Sequence, residues 1–373
     1  MQQLDQHLRQ ATQDGVVPGA VICVAHRGAI VWHQAYGVAE SALRRRPMRR
    51  ETLFDIASLT KVVATTSLLL IAQHEGFCRL DDQLQRFYPA TSGTTLGAVT
   101  IRQLLSHTSG FAAWYPLYRV LLPDGPICSG PDKAWLHRQQ SAALILRTAM
   151  VYPAGSQVLY SDLGFILLAD ILELQYQQSL HTLFLRKVAQ PLALRATAYR
   201  PLGGVSPLPT CPAAYAATEV CGWRRRSLSG EVHDENAWAM GGVAGHAGLF
   251  ATAEDLCRFA CAWWETADGR HSWLPASLLQ ESMQRQTPPP GSSRALGWDT
   301  PTLGKSSSGD FFSTRSIGHL GFTGCSLWID LERQIIVAFC TNRVHPMRGA
   351  TGIVQLRPAV HNLVMRALGA ASS

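Results

Sequence analysis

Lysine is scarce in this chain of 373 residues, and only four of its 33 basic side chains are lysines. Charged residues make up 16% of the sequence and hydrophobic residues 47%, whereas globular proteins carry about 25% charged residues. This composition excludes a disordered chain and is sufficient for one large or two ordinary domains. Because an arginine does not lose its proton in a protein but a lysine can, each of the few lysines is a candidate for acid–base chemistry.

The chain also lacks an apolar run approaching the ~20 residues that a membrane-spanning helix needs. Residues 1–15 are polar and contain no hydrophobic signal core. Nine cysteines are spread along the sequence without a Cys-x-x-Cys pair, which favours reduced, mostly buried thiols over a disulfide framework. These absences predict a cytoplasmic protein with no membrane span. The alternative is a periplasmic protein from which a leader has been removed.

Signatures of other function classes are missing as well. There is no Gly-x-Ser-x-Gly turn of the α/β-hydrolases. His107, His233, Asp234 and His246 lack the spacing of metal ligands, so we expect neither a metal nor another cofactor. The net charge is +7, but the arginine runs at residues 44–50 and 224–226 have no interleaved series of stacking aromatics. We therefore expect solvated loops there and no nucleic-acid partner.

The predicted elements place strands at both ends of the chain and helices between them. A helix over residues 2–14 and a hairpin of residues 20–36 open the chain, and a hairpin of residues 325–341 precedes a closing helix. This order predicts an α/β fold of the α+β type, with a central antiparallel sheet built from both chain ends and flanked by helices. A mostly helical domain is inserted in it, and the active site is expected at the interface. The expected domains are residues 1–79 with 241–373, and residues 80–240.

The most informative segment contains Ser58 and Lys61, at the predicted start of a helix that ends near Gly76. Residues three apart share one face of a helix, so the hydroxyl and the amine would point into the same space. The serine is a candidate nucleophile and the lysine a candidate base. Residues 62–71 are strongly apolar, and burial would lower the pKa of Lys61. The Ser-x-x-Lys pattern alone also fits a helix N-cap followed by a solvated lysine.

Tyr160 and Asp162 lie just before a predicted helix over residues 163–174. Tyr160 is a candidate proton shuttle if a nearby ammonium depresses its pKa. Asp162 would hydrogen-bond the lysine or a substrate amide. The alternative is an ordinary helix start with Asp162 as its cap.

A third segment, residues 318–324, reads Gly-His-Leu-Gly-Phe-Thr-Gly and precedes a predicted strand. Its glycines would let a substrate backbone approach a strand edge. The alternative is a glycine-rich turn in which His319 is a polar residue with its hydrogen bonds satisfied.

In this order and spacing, the three segments resemble the serine β-lactamase and penicillin-binding protein superfamily. Within it they look closest to the branch of class C β-lactamases, DD-carboxypeptidases and esterases. The resemblance extends to residues 101–110 and 248–256, and residues 232–248 and 341–346 are similar to DD-carboxypeptidase-like penicillin-binding proteins linked to cell-wall peptides.

The resemblance implies roles for individual residues. Ser58 would be the acylated nucleophile, Lys61 its base partner and Tyr160 the proton shuttle. The backbone N–H groups of Ser58 and Phe322 would form the oxyanion hole. The implied substrate-binding and oxyanion set is Asp162, His319, Gly321, Phe322 and Asn342.

Two positions depart from the class C pattern, since Asp162 stands in place of asparagine and His319 in place of the lysine of Lys-Thr-Gly. A histidine carries only part of a positive charge near neutral pH, so we expect pH-dependent activity there and a weaker hold on a substrate carboxylate. The sequence predicts a serine hydrolase that forms an acyl-enzyme on amides or esters, foremost a DD-carboxypeptidase-like penicillin-binding protein acting on cell-wall peptides. The alternatives are a carboxylesterase, a weak β-lactamase and a non-catalytic binding protein on this scaffold.

Overall fold

The computed structural model describes residues 1–43, 45–126, 130–287, 289–302, 304 and 306–370. The strands are β1 (Gly19–His26), β2 (Ala29–Glu40), β3 (Arg46–Pro47), β4 (Phe54–Asp55), β5 (Thr197–Tyr199), β6 (Ala217–Cys221), β7 (Arg226–Ser229), β8 (Leu249–Ala251), β9 (Ser316–Leu320), β10 (Ser326–Asp330) and β11 (Ile335–Thr341). The helices are α1 (Gln2–Gln13), α2 (Ser67–His74), α3 (Leu84–Phe87), α4 (Ile101–Leu105), α5 (Leu117–Leu121), α6 (Pro131–Ile145), α7 (Asp162–Tyr176), α8 (Leu180–Phe184), α9 (Glu235–Ala239), α10 (Ala253–Ala267), α11 (Ala276–Met283) and α12 (Ile353–Ala367).

The main sheet has six strands in the order β3-β2-β1-β11-β10-β9, and each neighbouring pair is antiparallel. It is built from both chain ends and flanked by helices, which confirms the predicted fold class. Arg27 and Gly28 join β1 to β2 with φ angles of 54° and 82°. Two successive positive φ angles are typical of the tight turn that fits the twist of a hairpin.

Both faces of this sheet are buried, which explains why residues 20–25 are all apolar. On one face, Ile22 belongs to a cluster with Leu8 of α1 and Val360 of α12. On the other face, the carbonyl of Cys23 accepts a hydrogen bond from Cys257 Sγ of α10 at 3.2 Å. The sheet therefore forms a rigid layer between helices, and its β9 edge carries part of the candidate site.

Residues 80–240 contain α3 to α9 and also three short strands, β5, β6 and β7. Strand β5 joins β8 and β4 in a second sheet, while β6 and β7 pair with each other. The domain boundaries at residues 79/80 and 240/241 stay a prediction. No helix in the described part of the chain is both long and apolar enough to cross a membrane.

One arginine run is not a solvated loop. The guanidinium of Arg224 is fully buried and forms an ion pair with Glu231 at 3.0 Å. It also donates to the carbonyls of Val232 and His233 at 2.6 and 2.8 Å. These acceptors compensate the burial of its charge, so the expectation of solvent exposure is wrong for Arg224. In the other run, Arg44 lies outside the described residues.

Candidate active site

The segment that carries Ser58 is not the regular helix that the sequence predicts. Ala57–Leu59 forms a 3₁₀ turn and Lys61–Thr66 a π-helical stretch before α2 begins. Ser58 lies in the first of these segments and Lys61 begins the second, and the change of geometry between them leaves Lys61 Nζ 2.9 Å from Ser58 Oγ. Ala57 has a φ of 46°, a left-handed conformation that is unfavourable for a residue with a side chain.

A buried carboxylate holds this strained turn in place. Asp55 accepts a hydrogen bond from the Ala57 amide at 2.8 Å and another from the His233 amide at 2.6 Å. Burial raises the pKa of Asp55, and the two amides oppose that rise. The turn at Ser58 is therefore fixed by a side chain rather than by a regular helix.

Lys61 is fully buried and donates three hydrogen bonds from Nζ, to Ser58 Oγ at 2.9 Å, Asp162 Oδ1 at 2.6 Å and the carbonyl of His246 at 3.3 Å. These bonds use all three protons of an ammonium group. Burial disfavours the charge, but the negative charge of Asp162 and its hydrogen bond to Nζ outweigh burial and raise the pKa of Lys61. The expected lowering of this pKa is wrong because a carboxylate compensates the buried charge.

Tyr160 lies in the same cluster, and its ring centroid is 4.8 Å from Lys61 Nζ. Burial raises the pKa of Tyr160, the negative charge of Asp162 acts in the same direction, and together they outweigh the opposing charge of Lys61. The phenol is therefore protonated, and the expected depression of its pKa is wrong. The ring of His107 packs against it with a centroid separation of 4.4 Å.

Asp162 is the first residue of α7, and Ser161 is the N-cap residue. The amide of Asp162 donates to the carbonyl of Ala113 at 2.9 Å. The Asp162 carboxylate turns to Lys61 instead of capping the helix, so the reading of Asp162 as an ordinary cap is wrong. Its side chain supplies the counter-charge for the buried lysine.

His319 lies in β9 and is buried, and its Nδ1 is 2.9 Å from the carbonyl of Leu320. Because a carbonyl only accepts hydrogen bonds, Nδ1 carries the proton and Nε2 presents a lone pair. Nε2 has no partner among the described residues. Burial and the charges of Lys61 and Arg294 hold the pKa of His319 well below its usual value. The expected partial positive charge is therefore wrong.

The turn after β9 packs against the nucleophile segment. A Cβ on Gly321 would lie 2.5 Å from the carbonyl oxygen of Ile56. The lack of a side chain at Gly321 therefore allows close packing against the backbone of Ile56, rather than the approach of a substrate backbone. The side chain of Phe322 is half exposed and stacks on His233, with ring centroids 5.7 Å apart. In the described structure, the amide of Phe322 donates to no protein acceptor.

The structure does not bring Asn342 to the cavity. Its side-chain amide donates to the carbonyls of Val38 and Ala39 at 3.2 and 3.3 Å, and Asn342 is buried. These bonds join the end of β11 to β2. In this structure Asn342 holds the sheet together and does not line the candidate site.

A cavity of about 610 Å³ joins the predicted residues Ser58, Tyr160, Asp162, His319 and Phe322. The sequence reasoning missed several residues that line it, and no local pattern distinguishes them in an arginine-rich chain. They are Trp114, Arg294, Arg343, Arg348 and Arg357.

The histidines that could suggest a metal site are engaged otherwise. His246 pairs with Asp234 at 2.9 Å and His233 with Glu219 at 2.8 Å. Burial would raise the pKa of Asp234, but His246 outweighs it and holds that pKa well below its usual value. His107 Nδ1 accepts a hydrogen bond from the Ser161 amide at 3.1 Å, which orders the residue next to Tyr160.

The model of the family described as "Beta-lactamase" matches residues 4–360. The N-acetylmuramyl-L-alanine amidase of Bacillus subtilis is 30% identical over 92% of this chain and 81% of the relative. A putative D-alanyl-D-alanine carboxypeptidase of Escherichia coli K12 is also 30% identical, over 92% of this chain and 82% of the relative.

Solved structures show the same fold. EstCE1, a hydrolase with promiscuous acyltransferase activity, has a TM-score of 0.74 at 22% identity and covers 96% of this chain and 98% of its own. A class C β-lactamase from Rhodobacter sphaeroides has a TM-score of 0.70 at 16% identity and covers 99% of this chain and 100% of its own. The match to the family model over nearly the whole chain confirms the resemblance seen in the sequence: this chain belongs to the β-lactamase family and is a serine hydrolase.

Proposed function

We propose that this hydrolase forms a covalent acyl-enzyme through Ser58 and acts on cell-wall peptides, as a DD-carboxypeptidase or a closely related amidase. The observation that carries the proposal is the hydrogen bond from Lys61 Nζ to Ser58 Oγ on the floor of an open cavity. Two of its relatives are named as an amidase and a putative carboxypeptidase of this kind. The roles of the individual residues below belong to the proposal.

Acylation needs an acceptor for the proton of Ser58, and a charged Lys61 has no free electron pair. The carboxylate of Asp162 lies 2.6 Å from Lys61 Nζ. In the proposed step, Lys61 first passes a proton to Asp162, and the neutral amine then turns its free electron pair to Ser58 and takes the hydroxyl proton. Ser58 Oγ bonds to the carbonyl carbon as this proton leaves, and Lys61 regains its charge. The negative charge that Asp162 loses appears on the tetrahedral oxyanion.

Collapse of the tetrahedral intermediate needs an acid for the leaving amine or alcohol. Tyr160 is a protonated phenol close to Ser58 and Lys61, so it is placed to supply that proton. Asp162 then returns its proton through Lys61 to the phenolate. The amides of Ser58 and Phe322 would hold the oxyanion. In deacylation, water takes the place of the leaving group, and the same proton transfers run in the opposite direction to release the acid product and restore Ser58.

The test is formation of an adduct at Ser58. The folded protein is incubated with a fluorescent penicillin or a fluorophosphonate, and its intact mass is measured. We expect one adduct, which Ser58→Ala abolishes and which Ser92→Ala, at an exposed serine, retains. Absence of an adduct with both reagents would contradict the catalytic proposal, and an adduct that persists in Ser58→Ala would exclude Ser58 as the nucleophile.

The substrate class is tested by comparing a D-Ala-D-Ala peptide, nitrocefin and p-nitrophenyl butyrate. We expect the peptide to be the best substrate, because the relatives are named for an amidase and a D-alanyl-D-alanine carboxypeptidase. A neutral His319 weakens the hold on the carboxylate of the peptide and of nitrocefin alike, so we expect slow turnover of nitrocefin. One observation favours an esterase as the second candidate. The half-exposed side chains of Trp114 and Phe322 line the cavity with Val354, which is 70% exposed. Turnover of the butyrate alone would favour the esterase.

A further inference from the structure

Arg357 in α12 lines the cavity, yet only 7% of its surface is exposed. In the described part of the chain, no carboxylate forms an ion pair with it, and its Nε has no hydrogen-bond partner. Burial lowers the pKa of Arg357 to about 10, so the guanidinium stays charged at neutral pH. An unpaired buried charge is costly, which makes the contacts that it does form informative.

Both hydrogen bonds of Arg357 go to the turn after β9. Nη2 donates to the carbonyls of Gly321 at 2.9 Å and Cys325 at 3.0 Å. The Gly321 carbonyl also accepts from the Gly324 amide at 3.0 Å, which closes the turn. Two donors therefore fix the direction of the Gly321 carbonyl, and one of them is charged.

The Gly321 carbonyl and the Phe322 amide belong to one peptide unit. A trans peptide is planar, and its C=O and N–H point in opposite directions. Fixing the carbonyl on Arg357 therefore fixes the direction of the Phe322 N–H. A charged donor on the carbonyl also polarises the peptide, which strengthens the N–H as a donor.

The same turn is tied to the nucleophile. Thr323 Oγ1 donates to the carbonyl of Asp55 at 2.6 Å, and the Asp55 carboxylate accepts from the Ala57 amide at 2.8 Å. Arg343 Nε donates to the carbonyl of Phe322 at 2.8 Å from the solvent side. The Phe322 and Ser58 amides are thus held in a fixed relation.

We infer that Arg357 is a positioning residue that aims and polarises the Phe322 amide of the oxyanion hole. It acts through the Gly321–Phe322 peptide and does not touch the reacting atoms. The inference rests on the proposed acyl-enzyme function. Its consequence is specific, because loss of Arg357 weakens binding of the tetrahedral state more than binding of the substrate.

The test uses Arg357→Met in the full chain, with Arg366→Met as the matched control on an exposed position of the same helix. The values of kcat and KM are measured with p-nitrophenyl butyrate, and affinity is measured for a phenylboronic acid, which forms a tetrahedral adduct with a nucleophilic serine. For Arg357→Met we expect kcat to fall roughly tenfold to a hundredfold. KM should stay within about threefold, and boronate affinity should fall in parallel with kcat. The control should match the wild type.

Arg357→Lys keeps the charge on a shorter, flexible chain, and we expect a severalfold loss of kcat at unchanged KM. This variant decides the question if Arg357→Met does not fold, since a wild-type kcat in Arg357→Lys would overturn the inference. An unchanged kcat and boronate affinity in folded Arg357→Met would overturn it as well. A wild type that neither turns over the ester nor binds the boronate would instead refute the acyl-enzyme function, and the inference with it.

Discussion

The cavity joins two groups of residues whose charges are compensated differently. In the nucleophile cluster (Ser58, Lys61, Tyr160, Asp162), the three protons of Lys61 all have acceptors, and its charge has a carboxylate partner. In the substrate wall (His319, Gly321, Phe322, Arg357), His319 Nε2 and Arg357 Nε have no partner within the described residues.

The nucleophile cluster is therefore paired within itself, whereas the substrate wall contains two polar atoms without a protein partner. A charge-paired cluster keeps its geometry, because moving any member leaves a buried polar group unpaired. Under the proposed function, the first group carries the chemistry and the second the recognition of the ligand. We therefore expect substitutions in the nucleophile cluster to change rates strongly, and substitutions in the substrate wall to change selectivity and binding of the tetrahedral state.

The largest effect is expected for Lys61→Met, which removes the group that links Ser58 to Asp162. The rate of adduct formation at Ser58 should fall roughly a thousandfold or more. Residues of a proton relay act as a unit, so removing one of them abolishes nearly all of the rate enhancement that the relay provides. Intact-mass kinetics with a fluorophosphonate measure this rate. The control is Lys187→Met, which breaks only the partly exposed ion pair with Glu75. A loss below tenfold in a folded variant would show that Lys61 is dispensable.

A smaller effect with a distinct pH signature is expected for Asp162→Asn. At neutral pH the loss of the proton acceptor should cost about a hundredfold in kcat. Without the carboxylate, the effect of burial, which lowers the pKa of Lys61, is no longer outweighed. The rate of the variant should therefore rise as pH passes this lowered pKa, where the neutral amine becomes the base. The wild type should show no such rise.

Profiles of kcat against pH measure this difference. The control is Asp81→Asn, which removes an exposed carboxylate that pairs with Arg102. Identical profiles in Asp162→Asn and the wild type would contradict the relay through Asp162.

The sequence predicted the hairpins at both chain ends and the α1 helix, because short apolar runs, helical periodicity and turn residues are local signals. It also predicted that Ser58, Tyr160 and His319 would share a site, through the resemblance of three short segments. The protonation states were mispredicted, since they depend on distances between segments. Lys61 and Asp162 are 101 positions apart in the chain but 2.6 Å apart in space.

The arginines of the cavity could not be predicted for a related reason. Arg294 lies in a loop, Arg343 follows β11, and Arg357 is on a helix whose sequence resembles that of any amphipathic helix. Each looks like an ordinary surface arginine until the fold places it. Asn342 illustrates the opposite case, because a residue within a family-like segment follows β11 and bonds to β2 instead of lining the cavity.

The smallest effect is expected for His319→Gln. This substitution keeps a polar side chain in the substrate wall but removes the group that could become charged. Because the pKa of His319 lies well below its usual value, the imidazole stays neutral through roughly pH 5.5 to 8, where an ordinary histidine titrates. The wild-type kcat/KM for the D-Ala-D-Ala peptide should therefore show no inflection from His319 in that range. A glutamine side chain also offers an uncharged hydrogen-bond acceptor, so the kcat/KM of the His319→Gln variant should stay within about threefold of the wild-type value. An inflection near pH 6.5 that His319→Gln removes, and that His74→Gln at an exposed histidine retains, would show that His319 titrates. His319 would then add a second positive charge to the substrate wall in acid, beside that of Arg357, and the contrast with the nucleophile cluster would hold only above that pH.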